Sequence, residues 1–216
     1  MGRPRTPLLS RERIRDKALE LIDADGLPAL SMRKLATELG VQAASLYTHY
    51  ATKDDLLDGI AVDVMSQVDA SAFETEAWPD ALAAWARSYR AALAAHPNFV
   101  PFIAAGPGRW EPALRAADSV HGGLVNAGWP PRYATMIGAS TKYLVLGAAM
   151  VSFSSGFAAD EQVYTDRFPN LGQAHLLQSH AAEIDAGSFD LALTSFVDGL
   201  HARFAALRAD GKLEVR

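Results

Sequence analysis

The chain has 216 residues, of which 50% are apolar and 21% charged, with 16 glycines and 11 prolines. That composition suits a globular protein of one large domain, or a small and a medium one, and excludes disorder and a collagen-like fibre. No cysteine is present, which rules out disulfides, thiolate metal sites and a cysteine nucleophile. The net charge of −5 conceals a basic head. Residues 1–53 hold nine Lys/Arg against six Asp/Glu, and residues 54–216 hold eleven against nineteen. Six basic side chains stand in the first seventeen residues against two acidic ones. This pattern fits an arm or helix lying near a polyanion, and equally a solvated tail. The basic start lacks the apolar core of a secretory signal, so a cytoplasmic location is expected. The longest uncharged apolar run, Tyr143 to Val151, falls well short of the roughly 20 residues a membrane span needs, and no membrane association is expected.

Helical periodicity dominates and strand-like alternation is missing, so the expected class is all-α. A first helix is predicted over Arg11 to Asp25, capped by Ser10 and stopped at Gly26. Ser31 caps a short second helix that ends at Gly40, and a third follows over Gln42 to His49. Thr52 and Asp55 form a capping-box pair that opens a fourth helix, with Leu56, Leu57, Ile60, Ala61, Val64 and Val68 inward. Asp69 to Ala77 reads as a small, acidic tail. Trp78-Pro79 starts a helix ending at His96-Pro97, then come a short helix from Asn98 to Ala105 and a Gly106-Pro107-Gly108 turn. Further helices are expected over Glu111 to Asn126, Arg132 to Ser154 and Ser188 to Ala209, the last followed by Gly211. Residues 155–187 read as a loop with one irregular helix. The Arg132 helix is apolar nearly all round, and the last repeats Phe189, Leu193, Phe196, Val197, Leu200 and Phe204. Two such helices per chain are the material of a symmetric four-helix dimer interface.

Two short helices joined by Gly40-Val41 make a helix-turn-helix, whose second helix can enter the major groove of B-DNA. The same pattern is common in proteins without DNA affinity. The residues themselves add more: Leu30-Ser31-Met32-Arg33-Lys34-Leu35-Ala36, Leu39-Gly40-Val41, Ser45-Leu46-Tyr47-Thr48-His49-Tyr50 and Lys53-Asp54-Asp55-Leu56-Leu57. From Ile14 to Ile60 the chain closely resembles the N-terminal domain of the tetracycline-repressor (TetR) family of transcriptional regulators. More loosely, Ala127-Gly128-Trp129, Leu146-Gly147 and Phe196-Val197-Asp198-Gly199-Leu200 resemble that family's C-terminal domains. The resemblance implies a helix-turn-helix DNA-binding domain over 1–53 and a helical effector-binding and dimerisation domain over 54–216. It implies a homodimeric repressor that binds a palindromic operator in double-stranded DNA and is released by a small molecule. The rival reading is a helical dimer that binds a small molecule or a protein without DNA affinity.

Arg33, on the first turn of the second helix, is placed to reach a base edge or a phosphate. Gln42, Ala43, Ala44 and Ser45 open the recognition helix, where the alanines suit thymine methyls and Ser45 a base edge. Tyr47, Thr48, His49 and Lys53 match the family's phosphate-facing positions, and their groups suit phosphate oxygens. The amides of Ser31 and of Thr52 to Asp54, at helix starts, suit anions. Tyr50 reads as a packed aromatic. Ser31 and Lys34 have the Ser-x-x-Lys spacing of acyl-transfer enzymes, but a helix cap is far commoner than a nucleophile.

In the second domain Trp85, Tyr89, Phe99, Phe102, Trp110 and Tyr143 are candidates to line an apolar cavity, with His96, His121, Asn126 and Lys142 as polar anchors. Aromatics at helical spacing are more often core than ligand cage. Tetracycline repressors bind a magnesium chelate with help from a histidine shortly after the turn corresponding to His96-Pro97. Here that stretch reads Phe99-Val100-Pro101-Phe102-Ile103, with no side-chain ligand, so an apolar or aromatic effector without a metal is expected. Neither a cofactor nor an enzyme site is expected, since no His-Glu-x-x-His, Gly-x-Ser-x-Gly or P-loop spacing occurs.

Overall fold

A computed structural model describes residues 9–106, 109–150, 152–164 and 167–209. These residues form ten α-helices and short 3-10 turns, with no strand. The Pro107-Gly108 part of the expected turn, Val151, Gly211 and the arm cations Arg3 and Arg5 lie outside the described residues.

Two compact units emerge, Met1–Gln67 with Ala92–Leu114, and Val68–Ala91 with Arg115–Arg216. In the first, α1 (Arg11–Asp25) begins where Ser10 Oγ accepts from the Arg13 amide and ends at Gly26, whose φ of 83° suits only glycine. After a 3-10 turn over Leu27–Ala29, Ser31 Oγ caps α2 (Met32–Leu39), and Gly40 closes it in the left-handed region at φ 67°. Next come α3 (Ala43–Tyr47) and α4 (Lys53–Met65), the latter with both hydrogen bonds of the Thr52–Asp55 capping box in place. Helix α1 packs on α2 and α4, and α2 packs on α3. Ile14, Ala18, Ile22, Leu35, Leu46, Leu56 and Ile60 are fully buried. Because the apolar face of α4 belongs to this core, the first segment of this unit runs to Gln67. Helix α3 is shorter than expected: Gln42 is its extended N-cap and Thr48 closes it. Helix α4 stops at Met65, so Val68 lies beyond it.

In the second unit, α5 (Ala72–Thr75) is one turn of helix in the stretch read as a tail. Helix α6 (Trp78–Ala94) starts in this unit; a 3-10 turn over Pro97–Phe99 and α7 (Val100–Ala105) belong to the first unit. Helix α8 (Glu111–Asn126) ends before Gly128, which takes φ 102°. Helix α9 (Pro131–Met150) ends short of the expected Ser154 and gives way to a 3-10 turn over Phe153–Gly156. Residues 155–187, read as a loop with one irregular helix, contain a series of 3-10 turns and the start of α10 (Ala181–Ala209). Helix α10 begins seven residues before the expected Ser188. The pair Gly187-Ser188 imitates a helix start, but Ala181 to Ala186 are mostly good helix formers and glycine inside a helix costs only about 1 kcal/mol. Helices α9 and α10 pack on each other, yet only Phe189, Leu193 and Leu207 of α10 are buried in the single chain. No helix among the described residues is long and apolar enough to cross a membrane.

Candidate nucleic-acid interface

A five-residue helix is below the length at which helices hold themselves, so α3 owes its position to packing. Leu46 is fully buried beneath it and Tyr50, just after it, is 1% exposed. The Tyr50 hydroxyl accepts from Arg15 Nη1 at 3.1 Å and donates to the Arg11 carbonyl at 3.2 Å. The Arg11 guanidinium lies 4.2 Å from the Tyr50 ring centre and donates to the His49 carbonyl at 2.6 Å. Arg15 also pairs with Asp63 of α4. Partial burial opposes the Arg15 charge, but its hydrogen bonds to Asp63 and Tyr50 outweigh that and raise its pKa. Lys17 pairs with Glu20. Part of the basic head is therefore internal bracing: Arg11 and Arg15 lock the corner after α3 against α1.

What remains outward is a small polar face. Ser31, Arg33, Gln42, Ala44, Tyr47 and Thr48 are exposed, while Ala43, Ser45, His49 and Lys53 are half-buried. The Arg33 guanidinium has no hydrogen bond or ion pair among the described residues, whereas neighbouring Lys34 pairs with Asp25 at 2.6 Å. Tyr47 is 52% exposed, a large aromatic left on the surface of a well-packed unit. The Thr48 hydroxyl donates back to the Ser45 carbonyl at 2.7 Å. Lys53 Nζ donates to the Leu30 carbonyl at 2.7 Å, tying the start of α4 to the segment before α2; an ammonium has two further protons to offer. Of the amides expected to suit an anion, Thr52 donates to Asp55 Oδ2, leaving those of Lys53 and Asp54 outside the capping box.

The residues named as effector-lining fall into separate groups. Phe99 and Phe102 stack at 5.2 Å between centroids, and Phe102 lies 6.2 Å from Trp110. All three belong to the first unit, where Trp110 Nε1 donates to Asp58 of α4 at 3.0 Å. Beside them His96 Nδ1 meets Asp23 Oδ2 at 2.8 Å, and Asn98 Nδ2 donates to the Asp23 carbonyl at 2.9 Å. Trp85 and Tyr89 belong to the second unit, both buried on α6 with centroids 6.1 Å apart. Burial pushes the Tyr89 hydroxyl up to about 12, so it is a neutral donor at ordinary pH. His121 is half-buried beside the Pro131 carbonyl, at 3.3 Å. Lys142 is half-buried, Asn126 is exposed, and Tyr143 is 72% exposed on α9. A groove of about 510 Å³ that the sequence did not signal runs between α9 and α10, lined among others by Tyr133, Met136, Phe196 and Leu200. No cluster of His, Asp or Glu among the described residues suits a metal ion.

The family model described as bacterial regulatory proteins, tetR family, matches residues 14–60, and that described as tetracyclin repressor-like, C-terminal domain, matches residues 72–204. The chain belongs to the tetR family. Among curated relatives, an HTH-type transcriptional regulator of Saccharopolyspora erythraea is 36% identical over 66% of this chain. The match spans 60% of that protein's length. The class A tetracycline repressor protein from transposon 1721 of Escherichia coli is 30% identical over 88% of this chain and 90% of its own. Among solved structures, the Streptomyces coelicolor TetR family protein ActR in complex with actinorhodin superposes with a TM-score of 0.69 at 27% identity, covering 90% of this chain and 98% of that one. The tetR-family match thus spans both the helix-turn-helix segment and the helical C-terminal region, and the protein is a ligand-responsive, DNA-binding transcriptional regulator.

Proposed function

We propose that this tetR-family regulator is a cytoplasmic homodimeric repressor. It binds a palindromic operator through two copies of α3, and leaves when a small apolar or aromatic effector, without metal or cofactor, enters the region after residue 54. In this reading Arg33, Gln42, Ala43, Ala44 and Ser45 meet bases, while Ser31, Tyr47, Thr48, His49 and Lys53 hold phosphates. The observation that carries it is the construction of α3: a short helix fixed from behind by Leu46, Tyr50, Arg11 and Arg15, with the Arg33 guanidinium, unpaired among the described residues, and the exposed Tyr47 left outward. Pairing of two chains is supported by the outer surface of α9 and α10, where Met136, Tyr143, Met150 and Leu191 are each more than half exposed. Apolar side chains left in water on two long helices favour burial against a second copy. A twofold pair sets the operator half-sites about 34 Å apart, or somewhat more.

The test is selection of duplexes from a random pool by purified, effector-free protein in dilute buffer. Enrichment of an inverted repeat is the expected result. Failure to enrich any motif would instead favour a helical dimer that has kept its small-molecule or protein partner without DNA.

A further inference from the structure

Within the second unit the unpartnered buried polar atoms share one character. Trp85 Nε1, Arg90 Nε, Trp129 Nε1 and the hydroxyls of Ser152 and Ser154 are buried with no hydrogen-bond partner among the described residues. The three nitrogens can only donate, and the two hydroxyls can donate as well. For the three nitrogens what is missing is an acceptor, whereas each hydroxyl can be satisfied from either side. A buried donor without an acceptor is unfavourable, so each nitrogen calls for one supplied by water or by another molecule. Trp129 is set apart, in an aromatic cluster with Trp78 and Phe204.

Arg90 is the charged member of the set. Its guanidinium carbon lies 4.8 Å from the centre of the buried Phe189 ring of α10, so one flat face is covered. The carboxylates near that turn of α10 have other partners: Asp190 pairs with Arg87 at 3.2 Å, and Asp185 accepts from the Phe153 amide at 3.2 Å. The 3-10 turn that holds Ser154, itself 1% exposed, packs on the same helix. Trp85 and Tyr89 stand within two turns of Arg90 on α6 and supply aromatic surface with an indole donor.

We propose that the effector is an aromatic acid whose carboxylate is taken by the Nε edge of Arg90, while its rings lie against the Trp85 and Tyr89 side of α6. This rests on the effector reading above and narrows it to one chemical class. The planar edge of a guanidinium matches the two oxygens of a carboxylate, and with one face already covered by an aromatic ring that edge is the part left to bind. A neutral ketone or amide would satisfy the hydrogen bonds but leave a partly buried positive charge with no counter-charge among the described residues.

The test is isothermal titration calorimetry of the full chain with two matched pairs, 2-naphthoate against 2-naphthamide and anthraquinone-2-carboxylate against its amide. At least one acid is expected to bind about tenfold or more tightly than its amide. In Arg90→Gln the pair should bind within about twofold of each other. Arg90→Lys keeps the charge but loses Nε, and its preference should fall between the two; it serves alone if Arg90→Gln does not fold by circular dichroism. Equal binding of acid and amide to the native chain, no binding of either pair, or an undiminished preference in the Arg90 variants would overturn the proposal. Operator release by the same acids is read separately on a gel. An acid that binds through Arg90 without releasing DNA would leave this site standing and refute the release mechanism. Operator binding with no acid bound would refute this site and leave the DNA-binding reading standing.

Discussion

Replacing Lys53 by methionine separates two roles that one side chain carries. The ammonium donates to the Leu30 carbonyl at 2.7 Å from a half-buried position, and Leu30 itself is 3% exposed. A hydrogen bond from a charged donor contributes about 1.5–3 kcal/mol; with the amine half in water the lower end applies, so Lys53→Met should cost about 1–1.5 kcal/mol of stability. Methionine keeps the stem's packing and removes only the charge and the donor. If the remaining ammonium protons also hold a phosphate, one counterion fewer is released on binding. The slope of log affinity against log salt should then fall in magnitude by about 0.9. Operator and random duplex should both weaken, since a phosphate contact carries no sequence information. Urea unfolding measures the first effect, and fluorescence anisotropy over a series of potassium chloride concentrations measures the second. A lowered stability with an unchanged salt slope would refute the phosphate assignment and leave Lys53 as an internal tie alone.

Arg33→Ala should cost about 1–3 kcal/mol on the selected operator if the guanidinium reads a base edge; an equal loss on random DNA in the same anisotropy assay would make it a phosphate contact. Leu46→Ala removes a fully buried side chain beneath α3 and should lower stability by about 2–5 kcal/mol in urea unfolding, with operator binding lost well before the fold. Leu200→Glu places a charge in the groove between α9 and α10 and should give a monomer in analytical ultracentrifugation with no operator binding; a surviving dimer would locate the pairing surface elsewhere. For Tyr89, burial holds the phenol neutral to about pH 12, against about 10 for a tyrosine in water. The unfolded chain loses that proton first, so stability should fall between about pH 10 and 12, by roughly 2–3 kcal/mol in all. Tyr89→Phe should remove that share of the loss, and identical alkaline unfolding curves for the two proteins would contradict it.

The N-terminal unit was legible because its instructions are local. Ser10, Ser31 and Thr52 cap helices through bonds to residues three positions on, and Gly26 and Gly40 stop them by adopting backbone angles that other residues resist. Such signals act within a turn of chain and can be read in order. The length of α10 was not legible, since Gly187 and Ser188 carry a local start signal that a 29-residue helix overrides.

Which charges are spent inside the molecule could be decided only in three dimensions. Arg11 and Arg15 count as basic head in a tally of sequence, yet they brace Tyr50, His49 and Asp63, 35 to 48 residues away. The expected effector lining divides for the same reason. Phe99, Phe102 and Trp110 have the composition of a ligand cage, but Trp110 reaches back 52 residues to Asp58 and the stack belongs to the first unit. Arg90, Ser152 and Ser154 gave no signal at all, because an unsatisfied donor is defined by what fails to surround it. Periodicity and capping depend on neighbours along the chain and so fix the helices and their order; partners and burial depend on distant segments meeting, and only the packed fold assigns them.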